Sequence, residues 1–224
     1  MPDATNPPAS VLTRRTFRRA PGDERRQDLI RATLDCVTEM GLHAVTVREI
    51  ALRAGVTNGL IRHYFDSKDR MVQEAYRATM GEMTTLVKAA SIIAGATARE
   101  RLRRFVAANL GAPVADIKRL TLWASFISMV HVDAAMAAIH REHYLAFRRE
   151  LEALVGEVFV EAGLPARKAN CRRAAIKINA VIDGLWLEGT LAPEMFAKKD
   201  LVAMGIEAVE SILGLSLRDF RKEK

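Results

Sequence analysis

The chain has 224 residues, half of them apolar, with 34 Lys and Arg against 27 Asp and Glu and a formal charge of +7. That length allows one large or two small domains, and the basic excess favours a polyanionic partner. Alternating β-branched runs are scarce and aromatics make up only 6%, which excludes a strand-rich fold and predicts an all-α chain with an aliphatic core.

Residues 1–22 hold Pro2, Pro7, Pro8 and Pro21 and a basic cluster at Arg14, Arg15, Arg18 and Arg19. They are expected to form a flexible basic N-terminal arm, either a solvated tail or a DNA-backbone or minor-groove arm. A first helix is expected over 23–40. Leu29, Ile30, Thr33, Cys36, Val37 and Met40 recur at three- and four-residue steps until Gly41 stops it. Cys36 on that face reads as a buried thiol. Neither it nor Cys171 has metal-ligand spacing around it.

The next stretch repeats one piece of helix grammar twice. Thr46 can N-cap a second helix with Glu49 three residues on, and Val45 and Ile50 occupy staple positions. Gly55 suits the left-handed exit. Thr57 can then cap a third helix, running to Phe65, with Val56 and Ile61 as its staple. Two short capped helices around a glycine turn are a helix-turn-helix signature, and in DNA-binding versions the second helix enters the major groove.

A three-helix, helix-turn-helix DNA-binding head is thus expected over 23–70. Residues 71–224 should form a larger helical ligand-binding and dimerisation bundle, about nine helices in all. Ser67 can cap a fourth helix over 67–90, with Met71, Ala75 and Met83 inward, acting as a lever between head and body. Helices follow over 98–110, 114–130, 133–162, 165–190 and 198–213, punctuated by Pro113, Pro165 and Pro193. No run of about 18 apolar residues and no signal-peptide core occur, so no membrane partner and a cytoplasmic location are expected.

On the third helix, Leu60, Ile61, Tyr64 and Phe65 include the anchors, and Thr57, Asn58, Gly59 and Arg62 lie on or near the exposed face. Gly59 permits close approach, Asn58 suits an adenine edge, and Arg62 suits a guanine or a phosphate. Thr46, Arg48, Thr57, His63, Tyr64 and Lys68 complete the DNA-contact set, through hydroxyl, charge, imidazole and helix N-terminal N–H groups.

The spacing T-V-R-E-I-A-x-x-A-G-V-T-x-G-x-I-x-x-Y-F-x-x-K, within residues 25–71, resembles the DNA-binding half of TetR-family regulators. That resemblance implies DNA contact at Thr46, Thr57, Gly59, Tyr64 and Lys68. Arg62 and His63 depart from it, since many relatives carry an aromatic pair there. The run Ala180-Val181-Ile182-Asp183-Gly184-Leu185-Trp186-Leu187, with Trp123 and Phe126, resembles the BetI-like, choline-sensing branch. Ile127 stands where choline-type relatives tend to carry a second tryptophan.

Trp123, Phe126, Tyr144, Phe147, Asn179, Asp183 and Trp186 form the expected ligand pocket. Aromatic faces with a carboxylate suit a quaternary ammonium effector. A buried carboxylate at Asp183 needs a partner, either a ligand cation or a basic residue across a dimer. Dimerisation is expected through the last two helices. Small residues Ala175, Ala180, Gly184 and Gly189 would let partner helices approach, with Val202, Ile206, Val209, Ile212 and Leu213 completing a four-helix bundle. His131, His140 and His143 permit a metal reading, but a solvated face rich in arginine explains the whole run, and no metal or other cofactor is expected.

No catalytic carboxylate pair, phosphate loop or nucleophile–base pair stands out, so an enzyme is not expected. The reading is a ligand-responsive repressor that binds a palindromic operator as a dimer. A sequence-neutral or architectural DNA binder, or an activator using the same head, are the alternatives.

Overall fold

The computed structural model describes residues 22–197 and 200–218. Among these, the chain forms nine α-helices, one short 3-10 turn and no strand. The basic arm expected at the N-terminus lies outside the described residues, apart from Gly22.

Helix α1 spans Gly22–Met40, α2 Val47–Ala54 and α3 Asn58–Phe65. Local grammar sets the first joint. Thr46 Oγ1 accepts from the Glu49 N–H at 3.2 Å, and Gly55 leaves α2 with φ +64. Gly55 N–H then bonds Leu52 O and Val56 N–H bonds Ala51 O, the paired closure of a Schellman motif. Thr57, by contrast, makes no side-chain cap bond. Its expected capping role is therefore corrected: only its carbonyl serves the helix, accepting from Leu60 N–H at 3.1 Å. Met40, expected on the inner face of α1, is 39% exposed at the last residue of the helix.

Helix α4 spans Lys68–Ser91 and is capped as expected, with Ser67 Oγ accepting from Arg70 N–H at 3.2 Å. Ion pairs tie it along its length: Arg26–Glu74 to α1, Arg77–Glu142 and Lys88–Glu150 to α7, and Arg119–Glu82 to α6. Helices α5 (Ala98–Leu110), α6 (Ile117–Ile127), α7 (Ala134–Glu161), α8 (Lys168–Leu191) and α9 (Asp200–Leu213) complete the body.

Helix α6 is shorter than expected at both ends. Asp116 caps it by accepting from Lys118 N–H, leaving Val114 buried in the preceding loop. Beyond Ile127 the chain runs through i→i+3 bonds, Met129 N–H to Phe126 O and Val130 N–H to Ile127 O. Asp133 then caps α7 through the Ala135 and Met136 N–H groups. Helix α8 begins at Lys168 rather than at Pro165, with Arg167 as its extended N-cap residue.

Two apolar cores result. The first joins Leu29, Val37, Ile50, Ile61 and Phe65 to Met71, Ala75 and Tyr76 of α4, and also to Leu122 and Phe126 of α6 and Met136 and Ile139 of α7. The second gathers α5, the rest of α7, α8 and α9 around Leu102, Phe105, Leu151, Val155, Ile178 and Val209. Cys36 and Cys171 are free, buried thiols.

Helices α8 and α9 pack against one another closely. Leu201 fills the space that a Cβ on Gly189 would need, and Leu110 does the same at Gly205. Of the residues expected at a subunit interface, Ala175, Gly189, Val209 and Leu213 are thus reassigned: Ala175, Val209 and Leu213 are buried core, and Gly189 serves the α8–α9 contact. Ala180 and Gly184 remain exposed on α8. No helix among the described residues is long and apolar enough to cross a membrane.

Candidate nucleic-acid interface and a cavity in the body

Helix α3 is divided by its own periodicity. Ile61 and Phe65 are buried, with Arg26 laid over the Phe65 ring at 5.2 Å. Thr57, Asn58, Gly59, Arg62 and His63 are exposed on the other side, together with Thr46 and Arg48 from α2. Because the Thr57 hydroxyl does not cap α3, the N–H groups of the first turn are not taken up by it. Such a helix start suits an anionic oxygen. Tyr64 and Lys68 are half-buried at the margin, with the Tyr64 ring edge-on to His63 at 5.3 Å.

All nine expected DNA-contact residues therefore lie exposed or half-exposed on two adjoining short helices and the start of α4. Asn58, Gly59, Arg62 and Lys68 also share a hollow of about 370 Å³ with Val47, Ile61, Asp66 and Ser67. Asp66 is an unexpected acidic neighbour. Its φ of +60 places a non-glycine residue in a region side chains rarely adopt, costing about 1–3 kcal/mol. That turn swings the chain from α3 into α4.

A second cavity, of about 280 Å³, lies among α4, α5, α6, α7 and α8. Trp123, Tyr144, Phe147, Asn179, Asp183 and Trp186 line it, six of the seven residues expected there. Phe126 does not. It is fully buried in the first core, tilted against Tyr76 at 4.9 Å. Three residues beyond Trp123, it falls on the flank of α6 that faces the head.

Trp123 and Trp186 meet edge to face at 5.6 Å and 90°. The Trp186 Nε1–H donates to Val114 O at 3.2 Å, which fixes that ring. Asn179 Nδ2 donates to Asp183 Oδ2 at 2.8 Å and approaches the Tyr144 hydroxyl at 3.3 Å. Asp183, expected to be buried, is an exposed residue by surface area, although protein atoms crowd its carboxyl on the cavity side. Burial pushes its carboxyl above the ordinary value, and the Asn179 hydrogen bond opposes that rise. A positive charge placed beside it would relieve the same penalty.

Sequence reasoning missed part of the wall. Met80, Met83, Thr84 and Val87 come from α4, Asn109 from α5, and His140 and His143 from α7. The solvated-face account of the histidine run fails for these two. His140 Nδ1 is hydrogen-bonded to the Tyr76 hydroxyl at 2.7 Å, and its ring stacks on Tyr144 at 5.6 Å. Burial lowers both histidine pKa values, and mutual repulsion adds to the drop at His140. Desolvation pushes Tyr76 up to about 12. His143 Nε2 is buried with no hydrogen-bond partner, while His131 is exposed. No cluster of three or more His, Cys, Asp or Glu among the described residues could hold a metal ion. The missed signal was spacing: His140, Tyr144 and Phe147 follow each other at helical steps of four and three.

Comparison with known proteins agrees with both regions. Residues 29–75 match the model of bacterial regulatory proteins of the tetR family. Residues 98–214 match that of the BetI-type transcriptional repressor C-terminal region. The HTH-type transcriptional regulator BetI of Paraburkholderia phymatum is 32% identical, covering 86% of this chain and 94% of the relative. That of Pectobacterium carotovorum is 30% identical over 84% and 94%. A transcriptional regulator from Pseudomonas aeruginosa PAO1 superposes with a TM-score of 0.80 at 33% identity, covering 88% of this chain and 93% of that one. A regulator from Saccharomonospora viridis, solved in complex with choline, shares the fold with a TM-score of 0.72 at 20% identity, over 84% and 96% of the two chains. The helix-turn-helix head, the all-helical body and these matches together make the chain a transcriptional regulator of the TetR family, in its BetI-type branch.

Proposed function

We propose that the protein is a dimeric repressor that leaves a palindromic operator when an organic cation, choline or a relative of it, occupies the cavity. Residues 23–70 act as the DNA-binding unit and 71–224 as the ligand-binding and dimerisation unit, with the basic arm 1–22 available to the DNA backbone. The protein works in the cytoplasm, where its operator is.

The observation that carries the effector class is the meeting of Trp123, Trp186 and Tyr144 with the Asp183 carboxylate in one cavity. Aromatic faces attract a quaternary ammonium through their quadrupole, and the carboxylate supplies the opposite charge. The choline complex of the Saccharomonospora viridis regulator supports the same chemistry.

In the DNA complex, Asn58 and Arg62 read base edges. Thr46, Arg48, Thr57, His63, Tyr64 and Lys68 hold phosphates, and Gly59 lets the backbone approach. Dimerisation through α8 and α9 uses the exposed Ala180 and Gly184 and the flank of Val202, Ile206 and Ile212. Two heads then address half-sites about 34–36 Å apart, or a multiple of that. Helix α4 bridges the two regions: its first turns lie in the head core and Met80, Met83, Thr84 and Val87 wall the cavity. A ligand that favours a different α4 setting by a few kcal/mol suffices for release.

The test is anisotropy titration of palindromic and scrambled duplexes over a salt series, with and without a panel of quaternary ammonium compounds. A large affinity ratio that a cation collapses supports the reading. Equal affinity for both duplexes removes operator recognition, and indifference to every cation removes the effector class.

A further inference from the structure

We infer that the effector is an organic cation with an apolar arm of about four to five carbons, whose head lies at Asp183 and whose arm lies along α4. This deepens the cation reading and rests on it.

The cavity holds about 280 Å³. At the ~30 Å³ that a water-sized group occupies in a liquid, it accommodates about nine such groups. A trimethylammonium head, one nitrogen and three methyls, takes about four of them and leaves room for about five more at the same packing. A bare methylammonium would leave that space unfilled.

The lining is also unequal in chemistry. The polar groups Asn179, Asp183 and Tyr144 are tied together by the Asn179 amide on α7 and α8. The α4 wall instead presents Met80, Met83 and Val87, its Thr84 hydroxyl being spent on Met80 O at 2.9 Å, with Ile127 of α6 in the same cavity. Those four apolar side chains offer an arm no hydrogen bond and no charge; the remaining polar wall residues, Asn109, His140 and His143, come from α5 and α7. Methionine is unbranched and polarisable, so it moulds to flexible apolar ligands better than stiff side chains do. Helix α7 packs against both α4 and α8, so the cavity joins the wall carrying the carboxylate to the wall carrying the methionines.

A division of labour follows. The head supplies recognition on α8, and the arm supplies contact with α4, the helix that continues into the core of the DNA-binding head. Release of DNA therefore depends on the arm more steeply than on the head.

The test is a series of alkyltrimethylammonium ions from methyl to octyl, titrated calorimetrically into the full-length protein. Their release of a fluorescent palindromic duplex is measured in parallel. Affinity is expected to rise by about threefold to fourfold per added methylene, to peak near butyl or pentyl, and to fall for octyl. Release should follow the same order. Met83→Phe, which fills the arm space, should move the optimum to a shorter chain.

An affinity that is flat or falls from tetramethylammonium upward overturns the arm and leaves the cation reading standing. So does an unchanged optimum in a folded Met83→Phe protein. If no member of the series binds, the cation reading and the arm fall together.

Discussion

The DNA-facing head and the cavity are built by opposite means. The head is specified over short distances: Thr46 meets Glu49, Gly55 closes on Ala51 and Leu52, and Ser67 meets Arg70. The cavity is assembled from five helices, and its polar corner joins Tyr144 to Asn179 across 35 positions. A surface made by local rules survives changes elsewhere, whereas a surface made by convergence depends on every packing angle around it.

This difference is open to direct attack, most severely at Phe126. Its ring is fully buried against Tyr76, so Phe126→Ala should cost about 3–5 kcal/mol of stability, measured by urea denaturation. The cation affinity of the folded fraction should change little. Loss of cation binding without loss of stability would put Phe126 back in the cavity wall.

In the head, Asn58→Ala should remove about 1–3 kcal/mol of discrimination at one base pair and leave binding to scrambled DNA nearly intact. Lys68→Ala should weaken binding to every duplex and reduce the salt slope by about one. Both are measurable by anisotropy. An unchanged base preference for Asn58→Ala would show that the reading face lies elsewhere on α3.

A smaller contrast separates the two threonines. Thr46→Ala should lose about 1 kcal/mol because its hydroxyl caps α2. Thr57→Ala should lose only a few tenths in stability, since its hydroxyl caps nothing, yet it should weaken DNA binding. Equal melting losses at both sites would break that assignment.

A pH dependence is expected at Asp183. Burial raises its carboxyl, so above the ordinary carboxylate value the folded chain retains a proton that the unfolded chain has released. Stability then falls as pH rises through that window, until the folded group ionises as well. Asp183→Asn should remove this dependence and leave the neutral-pH melting temperature unchanged or slightly raised, while sharply weakening cation binding. In the unmodified protein, cation affinity should decline toward acid pH earlier than an ordinary carboxylate would impose. A melting temperature lowered by Asp183→Asn would mean that the carboxylate is structurally required.

What could be read from the sequence follows the same divide. The helix boundaries from α1 to α5 lie within about two residues of expectation, because caps, glycines and apolar steps are local. The exposure of Thr46, Arg48, Thr57, Asn58, Gly59, Arg62 and His63 was legible for that reason. Six cavity residues were legible because aromatic and polar side chains stand out on amphipathic helices.

Met80, Met83, Asn109 and His143 were not legible, since nothing at short range distinguishes a wall residue from core or surface. Phe126 was misplaced because a helix face alone does not say which of two neighbouring cores it meets. Ala175, Gly189, Val209 and Leu213 were assigned to a partner chain for a related reason. A small residue admits a close helix whether that helix is its own or another subunit's, and Leu201 answers for Gly189.

Helix α6 has only 11 residues, yet Trp123 borders the cavity while Leu122 and Phe126 belong to the first core. With a turn every 3.6 residues, one residue added between Trp123 and Phe126 would rotate everything after it by about 100° and carry Phe126 off its seat against Tyr76. Lengthening is therefore forbidden here in a way it is not on exposed loops. Point substitutions can tune the two faces separately, but an insertion or deletion strikes both at once.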